Sequence, residues 1–105
     1  MAIVAELPVK ADGGAGFEEA TLPLLNDVQS KEDGNLLYCL GKADETTYVF
    51  TELYTNMDAI KLHGGTDYFK AGGKRQGPFM GGKPKISMLQ TVGESGAKPT
   101  HKAAL

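Results

Sequence analysis

A single cysteine, Cys39, excludes an internal disulfide and cannot build a cysteine-based metal cluster. That usage fits a reducing compartment, so a cytoplasmic setting is expected. No apolar run approaches the ~20 residues needed to span a bilayer. The opening MAIVAELPVK lacks a basic n-region followed by an apolar h-region, so no signal peptide is expected. There is no basic excess either: the formal charge is −2, without the basic footprint of a nucleic-acid binder. Tryptophan is absent. Glycine is abundant: 14 of 105 residues, about twice the usual ~7 %. Seven of them fall between Gly64 and Gly82, which marks that region as looped. A chain of this length forms one domain with one modest core.

The strands and helices follow from periodicity. Ile3, Ala5, Leu7 and Val9 alternate with Val4 and Glu6, which predicts a strand over 3–10. After the turn at 12–16, Phe17, Ala20, Leu24 and Val28 recur at helical spacing, with Thr21 and Leu25 alongside. Pro23 lies inside that stripe, so a kink or a late helix start near Leu22 is expected. Strands are predicted at 36–40 and 48–54, joined by a polar hairpin connection at 41–46. Asn56 suits a helix N-cap, and Asp58 in the first turn faces the positive end of the dipole. Gly64 and Gly65 are expected to stop that helix in a left-handed conformation, and Thr66 and Asp67 to cap a new one near Tyr68. Residues 72–83 look too rich in glycine and proline for regular structure. A fourth strand is predicted at 86–92, then a flexible tail over 93–105.

Strand, helix, strand, strand, helix, strand is the order of the ferredoxin-like split βαβ arrangement, an antiparallel sheet with helices on one face. Residues 1–92 form this domain. In the central strands Tyr48, Phe50 and Tyr54 oppose Val49 and Leu53, while Leu36, Tyr38 and Leu40 oppose Leu37 and Cys39. Both sheet faces are therefore apolar, and the helices cover one. A self-complementary homodimer is the expected cover for the other.

Most side chains able to do chemistry lie between Tyr48 and Lys70. His63 follows Ile60 by three residues and Ala59 by four, so it shares the apolar face of its helix and points inward. Imidazole, with an ordinary pKa near ~6.5, suits removal of a proton from a phenol or enol. The alternative is a structural histidine tying the helix to a strand. Glu52, mid-strand between Phe50 and Tyr54, needs a partner or a proton. It could orient His63 or hold a substrate hydroxyl, or form an ion pair across a dimer. Tyr54 and Tyr68 could donate to an oxyanion or peroxide. Asn56, Phe50, Tyr38, Phe69, Phe79 and Met80 complete the expected substrate-contacting set. For Asn56 capping, and for Tyr38 packing, are the competing roles. Phe79 and Met80 would sit on a lid formed by 72–83. Gly77 to Lys83 mimics the start of a phosphate loop, but Pro84 stands where Ser or Thr should be and a strand follows.

Residues 32–69 also resemble a known family. Glu32-Asp33-Gly34-Asn35-Leu36-Leu37-Tyr38 is similar to the turn and strand of the antibiotic-biosynthesis monooxygenases, with Asp33 where proline is usual. Phe50-Thr51-Glu52-Leu53-Tyr54 resembles their acidic-aromatic strand, and Asp58 to Phe69, with His63, Thr66 and Tyr68, their histidine-bearing helix. The resemblance implies a dimeric α+β barrel with a pocket in each subunit between sheet and helices. It also implies oxidation of small phenolic or quinol-type aromatics with O₂, needing no metal or flavin. Other members degrade haem, isomerise small sugars or lack known activity. The missing tryptophan and Tyr68, where many members carry a second histidine, favour a non-redox binder or isomerase as the alternative. A non-catalytic dimer is the third reading.

Overall fold

The computed structural model describes residues 1–93. Strand β1 (Ala2–Pro8) leads to helix α1 (Gly14–Lys31), then the hairpin of β2 (Asn35–Asp44) and β3 (Thr47–Tyr54). Helices α2 (Met57–Gly65) and α3 (Asp67–Gln76), a 3-10 turn (Gly77–Phe79) and strand β4 (Lys85–Leu89) follow. The sheet runs β2-β3-β1-β4 with every pair antiparallel. This is the expected ferredoxin-like fold. The expected tail lies, apart from Gly93, outside the described residues.

The core forms where the inward face of β1 meets α1. Ile3, Ala5, Leu7 and Val9 are buried against Phe17, Leu24 and Val28, with Tyr48 and Phe50 from β3. Burying side chains of this size contributes roughly 1.5–3 kcal/mol each. Thr21, not Ala20, completes the buried stripe of α1. Its hydroxyl donates to the Phe17 carbonyl (2.7 Å) and accepts from Gln76 Nε2 (3.0 Å), linking α1 to α3.

Three local expectations are corrected. Helix α1 begins at Gly14 and runs through Pro23. Pro23 sits on the exposed side, where water can serve the carbonyl it leaves without a donor. Residues 72–76 belong to α3 and 77–79 to the 3-10 turn, so of the expected loop only 80–83 lie outside regular elements. Gly72 is buried against α1, where a Cβ would lie only 3.1–3.2 Å from Leu24. Close helix packing thus outweighs the poor helix propensity of glycine. Finally, α2 ends without a left-handed glycine; Gly93 alone among the described residues has positive φ. Thr66, extended at φ −74°, ends α2 through its N–H on the His63 carbonyl. Its hydroxyl then caps α3 at Phe69 N–H. One residue does both jobs.

Candidate functional site

The site is built where β3, α2 and the turn after α1 converge. Asn56 accepts from the Ala59 N–H at 3.0 Å and starts α2, which carries Ile60 and His63 inward on one face. His63 is 4 % exposed. Three rings surround its imidazole: Tyr38 at 5.3 Å, Tyr54 at 5.6 Å and Phe69 at 4.7 Å between centroids. On β3, alternation turns Glu52 to the same interior, opposite Ile3 of β1 and Tyr38 of β2.

Two carboxylates flank the imidazole from opposite nitrogens. Nδ1 lies 3.1 Å from both carboxylate oxygens of Glu32, which is 3 % exposed. Nε2 faces Glu52 Oε1 at 4.0 Å, beyond hydrogen-bonding distance. Among the described residues, Nε2 is the buried side-chain nitrogen or oxygen that has no hydrogen-bond partner. Because Glu32 and Glu52 lie on different sides of the ring they do not converge on one point. No group of three or more His, Cys, Asp or Glu among the described residues is placed to hold a metal ion.

The tyrosines pair with these acids. Tyr54 Oη donates to Glu52 Oε1 at 2.6 Å, and Tyr68 Oη donates to Glu32 Oε2 at 2.6 Å. Burial pushes the Tyr54 and Tyr38 phenols far up, with Glu52 adding to both, so they remain protonated. Tyr68 is pushed up to about 12 by burial and then by Glu32. Burial also lifts the Glu52 carboxyl above the ordinary carboxylate range, and the Tyr54 hydrogen bond and the nearby imidazole pull against that lift. Glu52 therefore keeps its proton at a pH where an exposed glutamate has lost it.

A cavity of about 420 Å³ opens from this polar end. Tyr38, Glu52, His63 and Phe69 line it there, and Ile3, Ala5, Leu7 and Phe50 floor it along the sheet. Leu24, Gly73 and Gln76 form the helical side, and Met80, Lys83 and Ile86 lie toward β4. Its size falls in the usual range for small-molecule sites, roughly 300–1,000 Å³.

Of the residues singled out in the sequence, His63, Glu52, Tyr38, Phe50, Phe69 and Met80 meet at this cavity. Tyr54 and Tyr68 stand behind it with their protons donated to carboxylates rather than open to a ligand. Two expected contacts are corrected. Asn56 is exposed and caps α2 instead of lining the cavity. Phe79 packs over Gly16 of α1, where a Cβ would be only 2.2 Å from its ring, and it does not reach the cavity. Glu52 points toward Tyr54 and His63 of the same chain. Along the sequence Glu32 belongs to a turn, and nothing local ties it to a histidine 31 residues later.

The comparisons bear directly on this arrangement. The family model described as antibiotic biosynthesis monooxygenase matches residues 1–75, the stretch that supplies Glu32, Glu52 and His63. A solved structure from Caulobacter crescentus CB15, proposed to be an antibiotic biosynthesis monooxygenase, is 46 % identical with a TM-score of 0.83. That match covers 88 % of this chain and 89 % of the other. Rv0793 from Mycobacterium tuberculosis shares the fold at 20 % identity and TM-score 0.79, over 90 % of this chain and 97 % of its own. A protein from Nitrosomonas europaea does so at 20 % identity and TM-score 0.74, over 87 % and 97 %. No curated protein matches. No described helix is long and apolar enough to cross a membrane. With the family model spanning three of the four strands together with Glu32, Glu52 and His63, the chain belongs to the antibiotic biosynthesis monooxygenase family.

Proposed function

We propose that this protein oxygenates a small phenolic or quinol-type aromatic with O₂, without metal or flavin. One observation carries the reading: an unpartnered imidazole nitrogen, His63 Nε2, at the end of an apolar-walled cavity that His63 itself lines. An imidazole so placed removes a proton from the substrate, and the electron-rich anion passes electrons to O₂. A carbon–oxygen bond forms to give a hydroperoxide, the hydrogen remaining on that carbon leaves as a proton, the O–O bond breaks, and one oxygen stays as a carbonyl while the other leaves as water. The substrate supplies all four electrons that reduce O₂. Tyr38, held protonated by burial and lining the cavity, is the donor to the developing oxyanion in this reading. Glu52, lifted by burial, is the acid for the departing oxygen.

Replacing His63 with Ala should abolish oxygen uptake with an anthrone or quinol while leaving the circular dichroism spectrum unchanged. Uptake equal to the parent rejects the mechanism. A second reading, isomerisation, is favoured by Glu52 lying 4.0 Å from Nε2. One group could then take a proton and the other return it. Substrate conversion without oxygen consumption would select that reading.

The same reading includes a homodimer. Val4, Leu37 and Val49 lie on the sheet face opposite the helices and are only half-buried in a single chain. A second copy, sheet against sheet, would cover them. Light scattering checks this; a monomer at micromolar concentration overturns it.

A further inference from the structure

Glu32 is a buried acid to which the proposed reaction gives no task, and two independent features surround it. Its two oxygens lie equally, at 3.1 Å, from His63 Nδ1, while Tyr68 holds Oε2 at 2.6 Å. Behind it opens a second cavity of about 310 Å³, which Glu32 lines together with Lys31, Asp33, Asp58 and Leu62. None of those residues lines the larger cavity. The imidazole thus stands between two cavities, with Nε2 on the Glu52 side and Nδ1 on the Glu32 side.

We propose that Glu32 is the positioning residue of this site: it holds the imidazole proton on Nδ1, leaves Nε2 as the base, and borders the second cavity, from which a small anion could take its place. The inference rests on the role of His63 given above. Neutral imidazole carries one N–H, and the hydrogen bond made by one nitrogen decides the state of the other. A carboxylate accepts and cannot donate, so with Glu32 ionised its two oxygens favour the Nδ1–H tautomer. When Nε2 takes a substrate proton, the same carboxylate faces the new positive charge at hydrogen-bond distance. Tyr68, donating to Oε2, keeps the carboxylate turned toward the ring. Tyr68 thus acts on the base at one remove, not on the substrate.

The test reads the tautomer first and turnover second. In ¹⁵N-labelled protein carrying His101→Asn, so that a single imidazole remains, the long-range ¹H–¹⁵N spectrum should show His63 protonated on Nδ1. Glu32→Gln presents an amide whose NH₂ can donate to Nδ1, so the Nε2–H tautomer should appear. Oxygen uptake with anthrone should then fall at least about tenfold. Glu32→Ala should lose the preference as well, and formate entering by the second cavity should restore both tautomer and uptake, saturably. Formate should restore nothing in His63→Ala.

An unchanged tautomer in Glu32→Gln overturns the proposal, as does parental uptake in that variant. Failure of formate to act on a folded Glu32→Ala overturns the second-cavity route. Should Glu32→Ala not fold, Glu32→Gln decides the positioning role, and azide binding to a Glu32→Gly variant decides the route. Because the tautomer is read without substrate, a parent protein that never consumes oxygen but shows the expected shift would sink the oxygenase reading alone.

Discussion

Strand β3 carries two tyrosines six residues apart, each paired with a glutamate, Tyr48 with Glu18 of α1 and Tyr54 with Glu52 of β3 itself, and the pairs behave differently. At one end Tyr48 buries its ring against Phe17, with centroids 4.8 Å apart, and sends its hydroxyl out to the exposed Glu18. The Lys42 ammonium lies 5.9 Å above the same ring. At the other end Tyr54 donates to Glu52, and both are buried beside His63. Both phenols are pushed up, but the leading cause differs. For Tyr48 it is the hydrogen bond to Glu18; for Tyr54 it is burial. Water can replace a partner in the first pair and cannot in the second. The same two residue types therefore make a surface tether in one place and a charged reaction environment in the other.

The largest effect that would separate the pairs is on stability. Tyr54→Phe leaves the buried Glu52 carboxylate short of a donor and should cost about 1–3 kcal/mol in urea denaturation. A cost as small as that of Tyr48→Phe would show the two environments to be equivalent.

The next comparison is in pH. Because the folded-state value of Glu52 lies above its ordinary one, the folded chain holds this proton longer than the unfolded chain does. Its contribution is complete below the ordinary glutamate value and is lost as pH rises through the raised folded value. The parent should lose stability across that window relative to Glu52→Gln, measured as the difference between their denaturation midpoints at each pH. Tyr54→Phe should widen the window upward, since the lost hydrogen bond pulled Glu52 down. A constant difference between parent and Glu52→Gln would place the carboxyl in water. The smallest effect is expected for Tyr48→Phe, within about 0.5 kcal/mol, because Glu18 remains solvated.

Much of this contrast was legible along the chain, for a physical reason. Alternation in β3 puts Tyr48, Phe50, Glu52 and Tyr54 on one face whatever the rest of the protein does. Asn56 and Thr66 cap through their own side chains, over three residues, so their roles could be read in place. The start of the third helix is legible in the same way, but its continuation through 72–76 is not. Its Gly72 and Gly73 argue against helix locally, and the contact with Leu24 that rewards Gly72 comes from a different part of the chain. Phe79 packs on Gly16 and not at the cavity, a pairing no local pattern announces.

The order of strands and helices, the inward face of each, and the presence of a histidine on the buried side of α2 are set by the sequence alone. They depend on side-chain period and on capping, which act over a few residues. Tertiary structure decided which carboxylate meets which imidazole nitrogen, because Glu32 and Glu52 come from separate elements that flank the ring from opposite sides. It likewise decided that Nε2 is left unpartnered beside an apolar cavity. Distances between residues far apart in the chain are products of packing, and reactivity at His63 depends on those distances.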